Sequence, residues 1–406
     1  MNQVDQVDVV IIGGGPVGLA TAAGLSQAGF QVAIVERDSW VHQPPDGIET
    51  RVSAINEATM QWFDALGVTE DLLQQRHGIY RNMSVWDEAT TASLTLTAES
   101  AHVSQLGWII ENGAMQAILY QRLQKSAALT YDQTKIQAIE PLPPNGQQRW
   151  QIKLDNGVTL KTPLIVGCDG ALSMIRQHMG IDIAQQDYQH QALVATVATQ
   201  KPHHYTAYQR FLHQGVLAFL PLADQHHCSI VWSQTPQATG HCANLDQTAL
   251  NQAIAGALEY QLGPVRCLSS RLTRFPLIAR HAKRYGANGV VLLGDAAHTI
   301  HPLAGQGVNL GFQDGQCFVD VLTQAKAKRR DYAAMDTIDQ FERQRRWHNQ
   351  QMLMAMRGIK TLFCNDDPFY AAVRQYGMKW INQSTLLKRV MIQQAMTGGR
   401  HGNRLI

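Results

Sequence analysis

The stretch Asp8-Val9-Val10-Ile11-Ile12-Gly13-Gly14-Gly15-Pro16-Val17-Gly18 decides the fold of this 406-residue chain. It joins a short apolar run, typical of a buried parallel strand, to a glycine-rich turn and then to the helical pattern of residues 19–28. A second apolar run, residues 31–35, follows the glycine that ends this helix. A strand, a helix and a strand within about 30 residues predict a βαβ unit.

The three glycines Gly13, Gly15 and Gly18 have the G-x-G-x-x-G spacing of dinucleotide-binding turns. The first permits a tight turn, the second lets a pyrophosphate approach the backbone, and the third allows close packing of helix and strand. The pyrophosphate would lie at the positive end of the helix dipole. Glu36, at the end of the second strand, would bind a ribose hydroxyl and disfavour a 2′-phosphate. The alternative interpretation is a packing turn followed by a surface glutamate.

Two later motifs favour a flavin over a nicotinamide dinucleotide. Gly294-Asp295 follows the apolar run of residues 290–293 and places a carboxylate where it can accept hydrogen bonds from a polyol. The glycine-rich segment 302–311 precedes a helix, whose free N–H groups suit the flavin edge that gains negative charge on reduction. An ordinary glycine loop with a capping aspartate is the alternative.

Composition excludes several other classes of protein. The chain has 34 Lys and Arg against 32 Asp and Glu, and a net charge of +2 does not favour nucleic-acid binding. The first residues lack the basic region of a signal peptide, and no apolar run reaches the roughly 18 residues of a membrane span, so a cytoplasmic protein is expected. The six cysteines include no C-x-x-C pair and no zinc-like spacing, so no metal site is expected.

Buried-strand patterns occur early, in the middle and late in the chain, and alternating β patterns occupy residues 192–233. Residues 54–66 and 114–123 have the periodicity of amphipathic helices. We therefore expect an α/β (α+β two-domain) fold, with a discontinuous Rossmann-like FAD domain, an inserted antiparallel-sheet substrate domain and C-terminal helices. The expected bounds are 1–80, 99–185 and 281–325 for the FAD domain, 81–98 and 186–280 for the substrate domain, and 326–406 for the helical region.

The motif set resembles a known family. Gly13–Gly18 with Glu36, Cys168-Asp169-Gly170 and Gly294-Asp295 resemble the FAD-dependent aromatic hydroxylases of the hydroxybenzoate-hydroxylase fold. Segments 51–55 and 298–311 are more narrowly similar to the ubiquinone-biosynthesis hydroxylases, and the resemblance extends over nearly the whole chain. Cys168 departs from the alanine usual in the family, but a small buried residue serves equally.

The resemblance implies roles for individual residues toward FAD. Arg51 would lie near the pyrophosphate, Asn112 near the ribityl chain, and Asp169 beside the pyrophosphate and the groove that admits a nicotinamide nucleotide. Asp295 would bind the ribityl or pyrophosphate region, and Gly307 and Val308 would offer N–H groups to the isoalloxazine. The full implied set is Gly13, Gly15, Gly18, Glu36, Arg51, Asn112, Asp169, Asp295, Gly307 and Val308.

The resemblance also implies an activity. It is ring hydroxylation of a polyprenylated quinol or phenol intermediate of ubiquinone biosynthesis, with O₂ and NAD(P)H, through a flavin C4a-hydroperoxide. No second G-x-G-x-x-G follows a strand, so NAD(P)H would visit a groove transiently. The candidate bases, by residue type only, are His298, His301, Tyr208 and Tyr188. For each of them a packing or structural hydrogen-bonding role is the favoured interpretation, so no catalytic residue is assigned.

Several alternatives stay open at this point. The chain could act at another ring position, serve as a flavin oxidase or prenyl reductase, or be a non-catalytic FAD-binding assembly subunit. Residues 368–406 contain six basic and no acidic residues, with apolar residues partly at helical spacing. This pattern predicts either a packed helical pair with a solvated basic face or a peripheral contact. That contact would be with the inner membrane or with other ubiquinone-biosynthesis proteins.

Overall fold

The computed structural model describes residues 3–143, 147–213, 215–269, 272–300, 307–363 and 367–397. His301 and the segment 302–306, which the sequence analysis singled out, lie outside these ranges. The strands of the described residues are β1 (Val4–Gln6), β2 (Val9–Ile12), β3 (Val32–Val35), β4 (Val52–Ile55), β5 (His77–Tyr80), β6 (Asn82–Asp87), β7 (Ser93–Thr97), β8 (Gly107–Glu111), β9 (Leu129–Tyr131), β10 (Ile136–Pro141), β11 (Trp150–Leu154), β12 (Thr159–Thr162), β13 (Leu164–Gly167), β14 (Ile183–Thr199), β15 (Thr206–Leu212), β16 (Gly215–Pro221), β17 (His227–Gln234), β18 (Val265–Cys267), β19 (Thr273–Ala282), β20 (Gly286–Ala287), β21 (Val290–Leu292) and β22 (His298–Thr299). The helices are α1 (Pro16–Gln27), α2 (Glu57–Leu66), α3 (Thr69–Leu73), α4 (Asn112–Gln124), α5 (Met174–His178), α6 (Pro236–Asn244), α7 (Gln247–Ala257), α8 (Gly307–Ala327), α9 (Met335–Phe363), α10 (Pro368–Gln383) and α11 (Thr385–Thr397).

A sheet in the order β20-β21-β13-β2-β3-β9 carries the predicted βαβ unit. Its strands from β21 to β9 are parallel, and β2, β3 and β13 are buried along their whole length, as their apolar runs predict. Ile12 pairs with Val35 on one side and with Gly167 on the other, and Gly167 pairs with Leu292. Four strands therefore end at one edge, and the residues that follow them meet there.

A larger sheet has the order β22-β19-β14-β17-β16-β15-β6-β7, with β18 beside β14. All of its pairs are antiparallel except β15 with β6, so the predicted antiparallel sheet contains one parallel pair. One face packs on α6 and α7 through buried side chains that include Leu217, Phe219 and Ile230. Two smaller sheets, β1-β12-β11-β10 and β4-β8-β5, complete the strand pairing among the described residues.

The predicted helix over residues 54–66 is wrong at its start. Ala54 and Ile55 belong to β4, which pairs antiparallel with β8, and α2 begins only at Glu57. Asn56 marks the boundary, because its side-chain oxygen accepts a hydrogen bond from the Thr59 N–H at 3.0 Å and caps the helix. The second predicted helix, over residues 114–123, is confirmed within α4.

The C-terminal helices connect the two large sheets. Residues Ile338 and Phe341 of α9 lie in the core beneath the parallel sheet, whereas Met356 of the same helix packs under the larger sheet. The ion pair between Arg374 of α10 and Asp87 of β6 measures 2.6 Å and is almost fully buried. No helix in the described part of the chain is both long and apolar enough to cross a membrane.

Candidate active site

The glycine-rich turn after β2 contains three glycines with different physical roles. Gly13 has φ +109°, and a Cβ atom there would lie 2.3 Å from the carbonyl oxygen of Cys168. A Cβ atom on Gly18 would lie 2.0 Å from the carbonyl oxygen of Gly13, whereas one on Gly15 would meet nothing within 4 Å. Gly13 and Gly18 are therefore required by the fold, and the space beside Gly15 is free for a ligand that approaches the backbone.

The same turn presents an anion-binding helix end. Gly15 is the N-cap of α1 and has no side-chain oxygen to offer, and Pro16 occupies the first helical position. The N–H groups of the first turn and the helix dipole can therefore bind a phosphate group. Glu36 orders the turn, since its two carboxylate oxygens accept hydrogen bonds from the Gly14 N–H at 2.6 Å and the Asp38 N–H at 3.0 Å. Each oxygen keeps a lone pair that a ribose hydroxyl can use.

Asp169 follows β13 at the same sheet edge. One carboxylate oxygen accepts a hydrogen bond from the Ile175 N–H at 3.1 Å. The other is buried and has no hydrogen-bond partner among the described residues. A buried oxygen left without a donor costs free energy, so this position suits a ligand that donates. The neighbouring Arg176 instead holds the protein together, donating to the carbonyl oxygens of Ala296 and Ala171 at 2.8 and 3.0 Å.

Asp295 lies on a 3₁₀ turn, Gly294–Ala296, directly after β21. Its side chain is solvent-accessible but recessed among protein atoms, and this desolvation raises its pKa, while His298, Arg51 and Arg280 act to lower it. Arg51 is exposed; its carbonyl oxygen accepts a hydrogen bond from the Asn112 N–H at 3.0 Å, but its guanidinium has no hydrogen-bond or ion-pair partner among the described residues. A carboxylate and a guanidinium that interact electrostatically suit a polyol chain and a pyrophosphate, respectively.

The turn that carries Asp295 is held by a buried carboxylate on α8. One oxygen of Asp314 accepts hydrogen bonds from the Gly294 N–H at 3.2 Å and from His298 at 2.5 Å. The other accepts from Arg345 at 2.7 Å and from Asn349 at 3.0 Å. Burial alone would raise the pKa of Asp314, but the attraction of His298 and Arg345 and their hydrogen bonds outweigh it, so this pKa lies below its usual range.

A cavity of about 330 Å³ lies between the larger sheet and the part of the protein that contains the parallel sheet. On one side it is lined by Arg51, Val52, Ser53, Ala54, Asn112, Gly307 and Val308. The larger sheet contributes mostly small or aliphatic side chains, namely Val194, Ala207, Gln209, Ala218, Leu220, Ser229 and Val231. The larger sheet also contributes Met83, Leu96 and Phe275, and the remaining walls are formed by Tyr80, Leu106 and, from α11, Ile392, Ala395 and Met396.

The cavity is mainly apolar with a few polar groups. The Ser53 hydroxyl donates to the side-chain oxygen of Asn112 at 2.7 Å, which orients this amide at the start of α4. Burial raises the pKa of Tyr80 to about 12, so its phenol keeps its proton at neutral pH and can donate a hydrogen bond. Such a pocket can bind an aromatic ring, exclude water and contact a few ring substituents.

The ten residues implied by the resemblance fall into two adjacent groups. Six of them, Gly13, Gly15, Gly18, Glu36, Asp169 and Asp295, lie at or beside the carboxyl edge of the parallel sheet. The other four, Arg51, Asn112, Gly307 and Val308, line the cavity. Because Arg51 lines the cavity and also acts on Asp295, it connects the two groups.

Sequence reasoning missed other parts of the site. Tyr80, Gln209, Ser229 and the α11 residues line the cavity, and Asp314 holds the Asp295 turn. The one available signal was a charged residue, Asp314, at a helical position otherwise expected to be apolar. Of the candidate bases that the structure describes, none lines the cavity: His298 contacts Asp314, Tyr208 faces α7, and Tyr188 packs against Leu277.

Comparison with known proteins agrees with this geometry. Residues 6–356 match the protein family described as FAD binding domain. The 3-demethoxyubiquinol 3-hydroxylase of Escherichia coli (strain K12) is 31% identical over 390 residues, which cover 96% of this chain and 98% of that protein. The mitochondrial ubiquinone biosynthesis monooxygenase COQ6 of Danio rerio is 31% identical over 426 residues, covering 94% and 88%. The crystal structure of p-nitrophenol 4-monooxygenase PnpA from Pseudomonas putida DLL-E4 superposes with a TM-score of 0.78 at 17% identity, covering 99% of this chain and 100% of that one.

The chain is therefore an FAD-dependent monooxygenase in fold and family, and FAD is its cofactor. Within that class it belongs to the ubiquinone-biosynthesis hydroxylases. The fold class, the enzyme class and the resemblance predicted from the sequence are confirmed. Trp86-Asp87 and residues 219–222 also resemble the demethoxyubiquinol hydroxylase of this group, as the first relative above indicates. The cofactor fits the open space beside Gly15, and it also fits one Asp169 oxygen and the Arg51 guanidinium, neither of which has a partner among the described residues.

The glycine turn gives a direct test of cofactor binding. In the Gly15→Val variant the new Cβ atom would meet no protein atom within 4 Å and the side chain would occupy the pyrophosphate space, so the variant is expected to fold but to bind no FAD. Its free energy of unfolding without FAD should stay within about 0.5 kcal/mol of wild type, as for a surface substitution. Flavin absorbance and chemical denaturation measure both quantities. The Gly18→Val control should fail to fold because its Cβ would clash with Gly13, and a Gly15→Val protein that keeps its flavin would contradict the assignment.

A second test concerns the buried network. Asp314→Asn leaves Arg345 buried without its counter-ion and should lower the free energy of unfolding by about 3–5 kcal/mol. Asp182→Asn, which removes an exposed ion pair with Lys283, is the matched control and should cost at most about 1 kcal/mol. Because the pKa of Asp314 is depressed, its stabilisation is present above the unfolded-state value of about 3.9 and declines below it. The difference between wild type and Asp314→Asn should therefore shrink as pH falls below about 4, and equal losses in both variants would refute the role.

Proposed function

We propose that this enzyme hydroxylates the aromatic ring of a polyprenylated quinol or phenol intermediate of ubiquinone biosynthesis, consuming O₂ and NAD(P)H. The observation that carries the proposal is that Gly307 and Val308, expected beside the isoalloxazine, line the same cavity as an apolar sheet face. A ring in this cavity would lie next to the flavin and away from bulk water. The names of the relatives support ring hydroxylation in that pathway.

The size and lining of the cavity support this class of substrate. A volume of about 330 Å³ is at the lower end of small-molecule sites and suits a ring with the first part of a chain. Aliphatic side chains such as Leu220 and Val231 would contact a prenyl chain favourably. Gln209 is a polar group for a ring oxygen, and the buried Ser229 hydroxyl has no hydrogen-bond partner among the described residues. A ring oxygen hydrogen-bonded to the Ser229 hydroxyl would remove the free-energy cost of leaving this buried hydroxyl unpaired.

The chain's own residues would orient the ring and keep the site dry. FAD, when bound, supplies the oxygen activation, and the protein supplies binding, orientation and electrostatics. Tyr80, whose pKa is raised by burial to about 12, can donate a hydrogen bond to a ring oxygen but cannot serve as a base at neutral pH. The apolar walls exclude water, which protects an activated oxygen species from unproductive loss.

The proposed reductant is a nicotinamide nucleotide that binds transiently. The sequence contains one strand-associated G-x-G-x-x-G, at Gly13–Gly18, and this turn is assigned to FAD. Asp169, with one buried oxygen unpartnered among the described residues, lies where the resemblance places the access groove for NAD(P)H. Since a polyprenylated substrate dissolves in a bilayer, we also propose that the enzyme works at the inner membrane. It would do so by peripheral contact or through other ubiquinone-biosynthesis proteins.

The activity can be measured on the purified holoenzyme. With a short-chain quinol, NADH or NADPH and ¹⁸O₂, the product is expected to gain one ¹⁸O atom, detected by mass spectrometry. Hydrogen peroxide without labelled product would indicate an oxidase, and a saturated side chain would indicate a prenyl reductase. Flavin without any NAD(P)H consumption would indicate an assembly subunit. The quinone intermediates that accumulate in cells lacking the protein would identify the ring position.

The cavity assignment has its own test. Ala218→Phe would fill part of the space beside the ring, so we expect at least about a ten-fold loss of kcat/KM, equivalent to about 1.4 kcal/mol. Flavin content should not change, because Ala218 lies on the sheet side of the cavity. Ala184→Phe is the matched control at an exposed position of β14 and should be neutral. Wild-type kinetics in Ala218→Phe would show that the ring binds elsewhere.

A further inference from the structure

The outer side of α10 is apolar although it faces solvent. Phe369, Val373, Tyr376 and Trp380 are 69, 41, 72 and 66% exposed. Their spacing of four, three and four residues places them on one face of the helix. Scattered exposed apolar residues need no explanation, but four aligned ones, three of them aromatic, form a continuous apolar surface.

The opposite side of α10 explains why this surface is fixed in place. Arg374 forms the buried ion pair with Asp87 and also donates to the carbonyl oxygen of Leu362 at 2.7 Å. Met378 is buried in a cluster with Val85 of the larger sheet. The helix is therefore attached through its inner side. These inner contacts fix its orientation, so its aromatic side faces outward.

The next helix also exposes apolar side chains and adds charge. Leu386 and Val390 of α11 are 72 and 51% exposed, one helical turn apart. Lys379 and Arg389 are exposed close to these residues in the sequence, and residues 368–397 contain no acidic side chain. We define the docking face as Phe369, Val373, Tyr376, Trp380, Leu386 and Val390.

We propose that the docking face binds the surface of an anionic bilayer, an inference that rests on the proposed function and assigns its membrane contact. Interfacial helices combine aromatic and aliphatic residues on one side with basic residues beside them. Aromatic side chains such as Tyr376 and Trp380 favour the level of the lipid headgroups. Basic residues without acidic neighbours are attracted to anionic lipid, by about 1 kcal/mol or five-fold in affinity each.

The inner side of α11 connects this surface to the reaction site. Ile392, Ala395 and Met396 line the cavity, while Leu386 and Val390 point to the outside. A helix with its side chains is only about 10–12 Å thick, so the cavity would lie one helix away from the docked lipid. An apolar chain could then pass beside α11 from bilayer to cavity without crossing a wide layer of water.

Vesicle flotation of the full-length holoenzyme tests the proposal. Wild type should float with phosphatidylcholine vesicles that contain phosphatidylglycerol, and less with phosphatidylcholine alone or at high salt. Phe369→Ser with Trp380→Ser should lower partitioning at least about ten-fold. Lys379→Glu with Arg389→Glu should lower it at least about twenty-fold on the anionic vesicles. Tyr260→Ser changes a 50% exposed aromatic beyond α7 on the other side of the larger sheet; it is the control and should float like wild type.

The outcomes separate docking from catalysis. If wild type does not float, or if the docking-face variants float as well as wild type, the proposal is wrong. If those variants lose activity on a short-chain quinol in the absence of vesicles, α10 and α11 shape the cavity and the proposal is also wrong. Flotation without hydroxylation would refute the proposed function but not the docking proposal. Hydroxylation without flotation would refute the docking proposal but not the proposed function.

Discussion

The carboxylate of Asp314 is the interaction on which the arrangement of the site depends. It is fully buried and accepts hydrogen bonds from the turn after β21, from β22 and from α9. A buried charge is tolerated only when its neighbours satisfy it, so these donors must stay where they are. The neighbouring Asp295 is thereby held at the sheet edge, although Asp314 itself need not touch the cofactor. An interaction inside the protein core thus positions the turn that carries Asp295.

The local parts of the fold could be predicted because their causes are local. The apolar runs of β2 and β3 match the strands of the predicted βαβ unit, and the glycine turn follows from a spacing of a few residues. The error over residues 54–66 arose because the apolar pattern continues through β4 into α2, and only the cap at Asn56 separates them. The parallel pairing of β15 with β6 joins residues more than a hundred positions apart, which no local pattern specifies.

Candidate cofactor-binding residues could be proposed from the sequence, but most of the cavity wall could not. Its wall on the larger sheet consists of small residues such as Ala207 and Ala218, which leave space, and these carry no chemical signal. The large aromatic residues Tyr208 and Phe219 of the larger sheet pack on the opposite face, toward α6 and α7. Successive side chains of a strand point to opposite faces of the sheet. Which of them face the cavity depends on how the strand pairs with its neighbours. Ile392 and Met396 come from a segment far along the chain, so only the folded structure brings them to the cavity.

Helix α9 has a consequence for how this part of the chain can vary in length. Arg345 and Asn349 bind Asp314 at one end, and Met356 packs beneath the larger sheet, near α10, at the other. The stretch from Arg345 to Met356 spans about 16 Å at 1.5 Å per residue, with the side chains held in a fixed rotational phase. One inserted residue would turn the second half of the helix by about 100°, and only one of the two contacts could then survive. This stretch should therefore resist insertions and deletions.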